Sequence, residues 1–278
     1  KHYLSGHLKP GENIIVVRVN NDPETVKVGQ DSHSVTDQTQ GCWNGIVGKI
    51  ELQPFNFVEY FEVYPDVDKR QARVHLEMQG AKEEDPVAIT LKGYVGKFNG
   101  SKEDTLCKIE PKTIKERLTD KVYVPVDLML EFGDKMQLWD EFSPAVYHLT
   151  IEVASKEHKS VAVTQFGMRK VEIRGKMFDI NGREVQLRGT VENCDFPLTG
   201  YPPTDTESWE RVFNICKSYG LNHMRFNSYC PPEAAFLAAD KIGFYLQPEG
   251  PSWPNHGVKL GQGQPIDYYL MEEATAIS

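Results

Sequence analysis

The sequence predicts a multidomain chain in which β structure gives way to an α/β unit, and three observations carry that reading. Over residues 56–164 apolar and polar side chains alternate with the two-residue period of strands that bury one face. From residue 165 the rhythm becomes strand, helix, strand, helix, strand, the order that builds a parallel sheet. The chain has 278 residues and 40% hydrophobic content, enough for two ordinary cores.

The first segment, residues 1–55, opens with turn chemistry at Leu8 to Asn13, L-K-P-G-E-N. Ile14 to Val19 follows as a nearly continuous apolar run, which predicts a strand covered on both faces. Two or three strands cannot bury a face of their own, so this segment is either an edge of the next domain or the tail of one cut away.

The second segment, residues 56–164, sets Ala72, Val74, Leu76 and Met78 on one face and Arg73, His75, Glu77 and Gln79 on the other. Val87, Ile89 and Leu91 repeat the pattern, as do Tyr147, Leu149, Ile151 and Val153, with turn residues such as Phe98 to Ser101 between strands. Short alternating strands of this number predict an antiparallel β-sandwich of immunoglobulin type.

The third segment, residues 165–278, begins with a hairpin turning on Asn181-Gly182. A strand over Val185 to Gly189 comes next, then a capping box at Thr204 to Glu207 opening a helix with Trp209, Val212, Phe213, Cys216 and Tyr219 on its apolar face. Gly220 ends that helix, Leu221 to Phe226 forms a strand, and a second helix runs from Pro231-Pro232 to Gly243. Phe244 to Gln247 is the next strand, and a Gly- and Pro-rich loop from Ser252 to Gln264 leads into a last amphipathic stretch. A closed (β/α)8 barrel takes about 250 residues, so this segment reads as the first part of a TIM barrel, roughly three strands of eight.

Composition narrows the function. A net charge of −9 repels phosphate backbones and argues against nucleic-acid and anionic-membrane partners. No apolar run approaches the roughly 20 residues of a membrane span, the opening KHYLSGHLKPGEN lacks the plan of a signal peptide, and Lys1 in place of Met reads as a start in mid-protein. Cys42, Cys107, Cys194, Cys216 and Cys230 are odd in number and contain no C-x-x-C, which reads as free thiols rather than a disulfide or zinc framework. There is no H-E-x-x-H and no P-loop, and Gly261 to Gln264 lacks the third glycine of a dinucleotide fingerprint, so no metal or cofactor is expected.

In parallel barrels the reactive groups stand at the carboxyl ends of strands, where the strand-to-helix loops converge. Three such ends are predicted. They carry Glu192, Asn193 and Asp195, then Arg225 and Asn227, then Glu249 with Trp253.

Several runs in this order resemble glycoside hydrolase family 2, the family of β-galactosidases, β-glucuronidases and β-mannosidases. Ile14 to Val19 with Gly41 to Gly48, G-C-W-N-G-I-V-G, is similar to the closing strands of the family's jelly-roll domain. Leu138 to Leu149, L-W-D-E-F-S-P-A-V-Y-H-L, resembles the W-S-P-x-x-Y-x-L run of its central sandwich, and Phe166 to Glu249 resembles the start of its catalytic barrel. The resemblance implies the end of a jelly roll over 1–55, a whole sandwich over 56–164 and a truncated barrel over 165–278.

The resemblance also implies function: retaining hydrolysis of terminal β-glycosidic bonds in an oligo- or polysaccharide. The acid and nucleophile glutamates are expected beyond Ser278, so no catalytic residue is assigned within the chain. Arg225, in N-H-M-R-F-N, matches the arginine that holds the family's catalytic carboxylate, and Glu249 matches the glutamate of Y-V-x-D-E, with Pro248 at the preceding acid. Trp253 would stack on a sugar face. Asn193 and Ser228 replace two family histidines, which leaves the sugar unnamed. An open barrel edge would allow copies of the chain to associate, and a periplasmic or extracellular location is compatible with the family.

Two rival readings are weighed beside this one. A non-catalytic carbohydrate-binding or adhesion module would show exposed aromatics on one sandwich face. Alternatively, Glu192, Asp195 and Glu249 would form an acid and nucleophile pair of their own, although a half barrel leaves them wet and poorly positioned.

Overall fold

The structure is a computed structural model that describes residues 4, 6–20, 45, 46, 48, 50–79, 85–96, 107–118, 123–250, 261, 267, 268 and 271. The alternation over Ala72 to Gln79 becomes strand β2 (Gln71–Met78), in which Ala72, Val74, Leu76 and Met78 are wholly buried while His75 and Glu77 face outward. It lies between β1 (Val58–Asp66) and β5 (Val124–Glu131) in a three-stranded antiparallel sheet. The register pairs Leu76 with Val126 and Val74 with Leu128, so inward residues of neighbouring strands meet.

The opposing sheet has the order β4 (Cys107–Leu118), β3 (Asp85–Gly96), β6 (Val146–Ala154), β7 (Lys159–Gly167), again antiparallel throughout. From it Tyr147, Leu149, Ile151 and Val153 point inward and join the β2 set in one core. Each such large side chain withdrawn from water contributes about 1.5–3 kcal/mol. A constant-type immunoglobulin sandwich pairs its fourth strand with the first sheet. Here β4 pairs with β3 instead, giving three strands against four. The turn expected at Phe98 to Ser101, and the side chains of Val87, Ile89 and Leu91, lie outside the described residues. Strand β7 runs to Gly167, across the segment boundary placed at 164.

After the sandwich comes a small sheet of β8 (Val171–Arg174), β9 (Met177–Ile180) and β10 (Arg183–Val185). Asn181 and Gly182, at φ 55° and 81°, make its second turn as the dipeptide predicts. The parallel unit follows as β11 (Gly189–Glu192), α1 (Thr206–Ser218), β12 (His223–Phe226), α2 (Glu233–Ile242) and β13 (Tyr245–Gln247). Strands β11, β12 and β13 are neighbours in that order and parallel. Trp209 and Phe213 of α1 and the alanines of α2 pack against Met224 and Phe226 of the sheet.

Three local expectations change. Ile14 to Val19 is not a strand: it has no ladder partner among the described residues and Ile14 and Val16 are 84% and 87% exposed, so the apolar run alone does not make a strand without neighbours to pair with. The first parallel strand is Gly189–Glu192, not Val185–Gly189, because Arg183 to Val185 is held by β9 and the chain must cross from that sheet to the next. Helix α1 is capped by Asp205, whose carboxylate accepts from Ser208 N at 2.8 Å and Ser208 Oγ at 3.0 Å, and not by Thr204. A carboxylate at the N-cap adds charge complementarity to the hydrogen bond.

The run Trp139 to Pro144 joins the sandwich to the α/β unit. Asp140 Oδ1 accepts from the backbone N of Phe142 and of Ser143, both at 2.8 Å, folding the run into a tight loop. Trp139, 1% exposed, donates from Nε1 to Asp240 O at 2.7 Å, and Lys217 Nζ donates to Glu141 O at 2.9 Å and Ile242 O at 2.8 Å. Glu141 Oε2 accepts from Asn222 Nδ2 at 2.5 Å. Gly243 lets the loop come this close: at φ 75° a Cβ there would stand 2.8 Å from Glu141 O.

Candidate functional site

The register of the parallel sheet levels its carboxyl ends. Glu192 lies beside Phe226, and Arg225 beside Gln247, so the residues that follow each strand emerge side by side. Six of the residues picked from the sequence stand on this rim. Trp253 lies outside the described residues.

Arg225 and Glu249 form the centre. Arg225 Nε donates to Glu249 Oε1 at 2.5 Å, and Ser228 N donates to Glu249 Oε2 at 2.9 Å. Glu249 N in turn donates to Tyr229 O at 3.2 Å, which fixes the third strand end to the second. The hydrogen bond and charge of Glu249 raise the Arg225 pKa further above its already high value, so the guanidinium stays charged. Only Nε of the fork is taken by Glu249.

Glu192 is held differently. Both of its oxygens accept from Cys194 N, at 3.1 Å each, and the buried Tyr229 hydroxyl donates to Oε2. Burial pushes its carboxyl above the usual range, opposed by the backbone N–H groups of Cys194 and Asp195, while the negative charge of Asp195 adds to the rise. Asn227 N donates to Glu192 O at 2.9 Å, and Asn227 Nδ2 donates to Asn193 Oδ1 at 3.0 Å. Asp195 sits beside this knot with its own residue exposed to solvent.

Two non-glycine residues at these strand ends adopt the left-handed region, Cys194 at φ 63° and Ser228 at φ 60°. Each also gives its backbone N–H to a glutamate, Cys194 to Glu192 and Ser228 to Glu249. Each such conformation costs about 1–3 kcal/mol and persists where the surroundings impose it, as they do at binding sites.

The rim thus presents a fixed cation, two anchored carboxylates and an amide pair, a set suited to orienting hydroxyl groups or another carboxylate. Among the described residues no group of three or more His, Cys, Asp or Glu could hold a metal ion. Sequence reasoning missed Tyr229 and the role of Ser228 N. A signal existed: both lie directly after the parallel strand β12, at the positions its loop must turn through.

The family model of glycosyl hydrolases family 2 matches residues 56–169. The β-galactosidase large subunit of Latilactobacillus sakei is 22% identical over 271 residues, covering 94% of this chain and 39% of that protein. A family 2 glycosyl hydrolase from Bacteroides cellulosilyticus superposes with a TM-score of 0.54 at 18% identity, over 80% of this chain and 28% of its own. The β-glucuronidase of Parabacteroides merdae gives 0.53 at 18% identity, over 70% and 24%. At these identities the two structures establish likeness of fold, and the chain spans well under half the length of each relative.

Proposed function

We propose that this chain, whose residues 56–169 match the model of glycosyl hydrolases family 2, is part of a retaining β-glycosidase and that its strand-end rim orients that enzyme's nucleophile. The observation that carries the reading is the Arg225 to Glu249 contact through Nε alone. A guanidinium presents five donors in a rigid fork. With Nε on Glu249, the terminal nitrogens remain to grip a second carboxylate in two places, keeping it ionised and aimed.

In such an enzyme one carboxylic acid protonates the leaving oxygen while a carboxylate about 5–5.5 Å away attacks the anomeric carbon. A glycosyl-enzyme ester forms, and water then releases the sugar with the first residue acting as base. Neither role goes to Glu192 or Glu249, both of which are tied to backbone N–H groups. The acid and nucleophile would come from sequence following Ser278, and the barrel would close through the strands that carry them. The homologues named β-galactosidase and the fold relatives named β-glucuronidase support a carbohydrate substrate and leave the sugar open.

The test compares the 278-residue chain with the longer protein that contains it, using aryl β-glycosides. The short chain is expected to give no turnover above a blank, and the long one to hydrolyse a β-glycoside with retention. Arg225→Ala in the long protein should lower kcat about 10²–10³-fold, the loss expected for one positioned charge stabiliser. Turnover by the short chain that disappears with Glu192→Gln or Glu249→Gln would overturn the assignment.

A second reading, a non-catalytic binding module, draws on Tyr60 and Tyr64, which are 38% and 43% exposed on the outer face of one sandwich sheet.

A further inference from the structure

That outer face ends in a cleft that the hydrolase reading does not use. It lies where β1 and β2 meet the connection into β8, has a volume of about 460 Å³, and is lined by Tyr64, Asp66, Asp68, Lys69, Arg73 and Lys170 among others. The volume falls within the range of small-molecule sites, about 300–1,000 Å³.

The lining is held in place by its own contacts. The Tyr64 hydroxyl donates to Glu62, and the Arg73 guanidinium lies over the Tyr64 ring at 4.1 Å. Arg73 also donates to Asp127 Oδ1 at 2.9 Å. Lys69 pairs with Asp66 at 2.9 Å, and Lys170 with Asp68 at 2.7 Å and Glu172 at 3.3 Å. Ammonium groups carry three donors and carboxylates about four acceptor sites, so these pairs retain hydrogen-bonding capacity after meeting each other.

Three features point to one class of ligand. Tyr64, 43% exposed with Arg73 over one face of its ring, offers apolar surface beside polar groups, as recognition of an amphipathic ring requires. Basic groups and carboxylates of the wall stand in pairs, Lys69 with Asp66 and Lys170 with Asp68. Lys69, Arg73 and Lys170 are each matched by a carboxylate, and the fourth basic residue of the lining, Arg169, has its guanidinium over the Trp139 ring, so the cleft does not gather unmatched cations in the way a phosphate or sulfate site does. A hydroxyl-bearing ring without charge satisfies all three.

We propose that this cleft is a saccharide-binding subsite for a neutral sugar unit, separate from the strand-end rim and located on the sandwich. Tyr64 supplies the ring face, and Asp66, Asp68, Lys69 and Lys170 bind hydroxyl groups. Tyr60, four residues earlier on the same face of β1 and about 13 Å away at 3.2–3.4 Å per residue, extends the platform for a longer chain. The hydrolase then holds a polymeric substrate at a point remote from the bond it cleaves. The subsite stands on the geometry of the sandwich and does not require the strand-end reading.

The experiment titrates the 278-residue chain with neutral β-linked gluco- and galacto-oligosaccharides, following backbone amides by NMR and affinity by calorimetry. Inorganic sulfate and an oligogalacturonate serve as anionic probes. A neutral oligosaccharide is expected to shift amides of residues 64–73, 169 and 170. Tyr64→Ala should weaken binding at least tenfold and Asp68→Asn severalfold, while Arg225→Ala leaves it unchanged. Asp68 is largely exposed, so its variant tests the cleft without a folding cost. The proposal is overturned if no neutral sugar shifts these amides at millimolar concentration, if the anionic probes bind the cleft more tightly, or if both cleft variants bind as the parent does. Loss of binding with Arg225→Ala, with shifts only at the strand ends, also overturns it and leaves the hydrolase reading intact.

Discussion

The sandwich and the α/β unit solve the problem of burial to different extents. In the sandwich, two sheets face each other and every inward position of β2 is covered. In the α/β unit, α1 and α2 cover one side of the parallel strands, while Val191 of β11 and Leu187 just before it remain 49% and 41% exposed. A cavity of about 570 Å³ lies where the β8–β10 sheet, the parallel strands and α2 meet, lined by Trp139, Phe178, Leu187, His223, Phe236 and Tyr245. Parallel sheets are stable when both faces are covered. Among the described residues, one region therefore packs its core between two sheets, and the other packs its core on one side of a sheet.

The sharpest test of that contrast is Leu76→Ala. At a wholly buried position it should cost about 2–5 kcal/mol, read as a fall in the urea midpoint of the sandwich. Val191→Ala, on the exposed side of the parallel sheet, should stay within about 0.5 kcal/mol. Equal losses at the two sites would erase the distinction.

Lys217→Met probes whether the two regions unfold together. It removes the donor shared by Glu141 O and Ile242 O, and should cost about 1.5–3 kcal/mol. Hydrogen exchange should then separate residues 206–218 from residues 71–78, the former opening first. Coincident opening would mean that packing, not this amine, couples the regions.

The smallest expected effect is in the pH response, where the regions should move in opposite directions. Glu62 is held below the usual carboxylate range by hydrogen bonds from Tyr60 and Tyr64, and Asp127 by hydrogen bonds from His75 and Arg73. Groups with lowered folded values stabilise above the unfolded pKa of about 4, and that stability is lost as pH falls through the folded value. Burial raises Glu192 and Asp240 instead. Their ionised forms weaken the fold above their raised values, and the penalty is relieved as pH falls toward about 4. Between neutral pH and that point, exchange should slow in residues 206–242. Below it, exchange should quicken in residues 58–78. Glu192→Gln should flatten the first trend.

Much of the fold was legible because local chemistry decided it. The period over Ala72 to Met78, the Asn181-Gly182 turn and the left-handed Gly220 and Gly243 depend on near neighbours in sequence. Ile14 to Val19 misled because apolar character says nothing about whether a pairing strand is present. At the rim, strand-end position picked out Glu192, Asn193, Arg225, Asn227 and Glu249, since topology places such residues together. Which of them touch was not legible. The bonds from Tyr229 to Glu192 and from Arg225 to Glu249 join residues 37 and 24 apart, and the choice depends on turns at Cys194 and Ser228 that no propensity favours.

The loop at Trp139 to Pro144 imposes an order in time. Trp139 Nε1 waits for Asp240 O, 101 residues further along. At about 5–20 residues per second of synthesis, the sandwich, complete once β7 ends at Gly167, emerges roughly 4–15 s before Asp240. During that interval Trp139 and Glu141 face water on a domain otherwise complete. The finished sandwich then acts as the mould on which the helices and strands of the α/β unit set, and the helix that carries Lys217 arrives to find its acceptor carbonyl at Glu141 already in position.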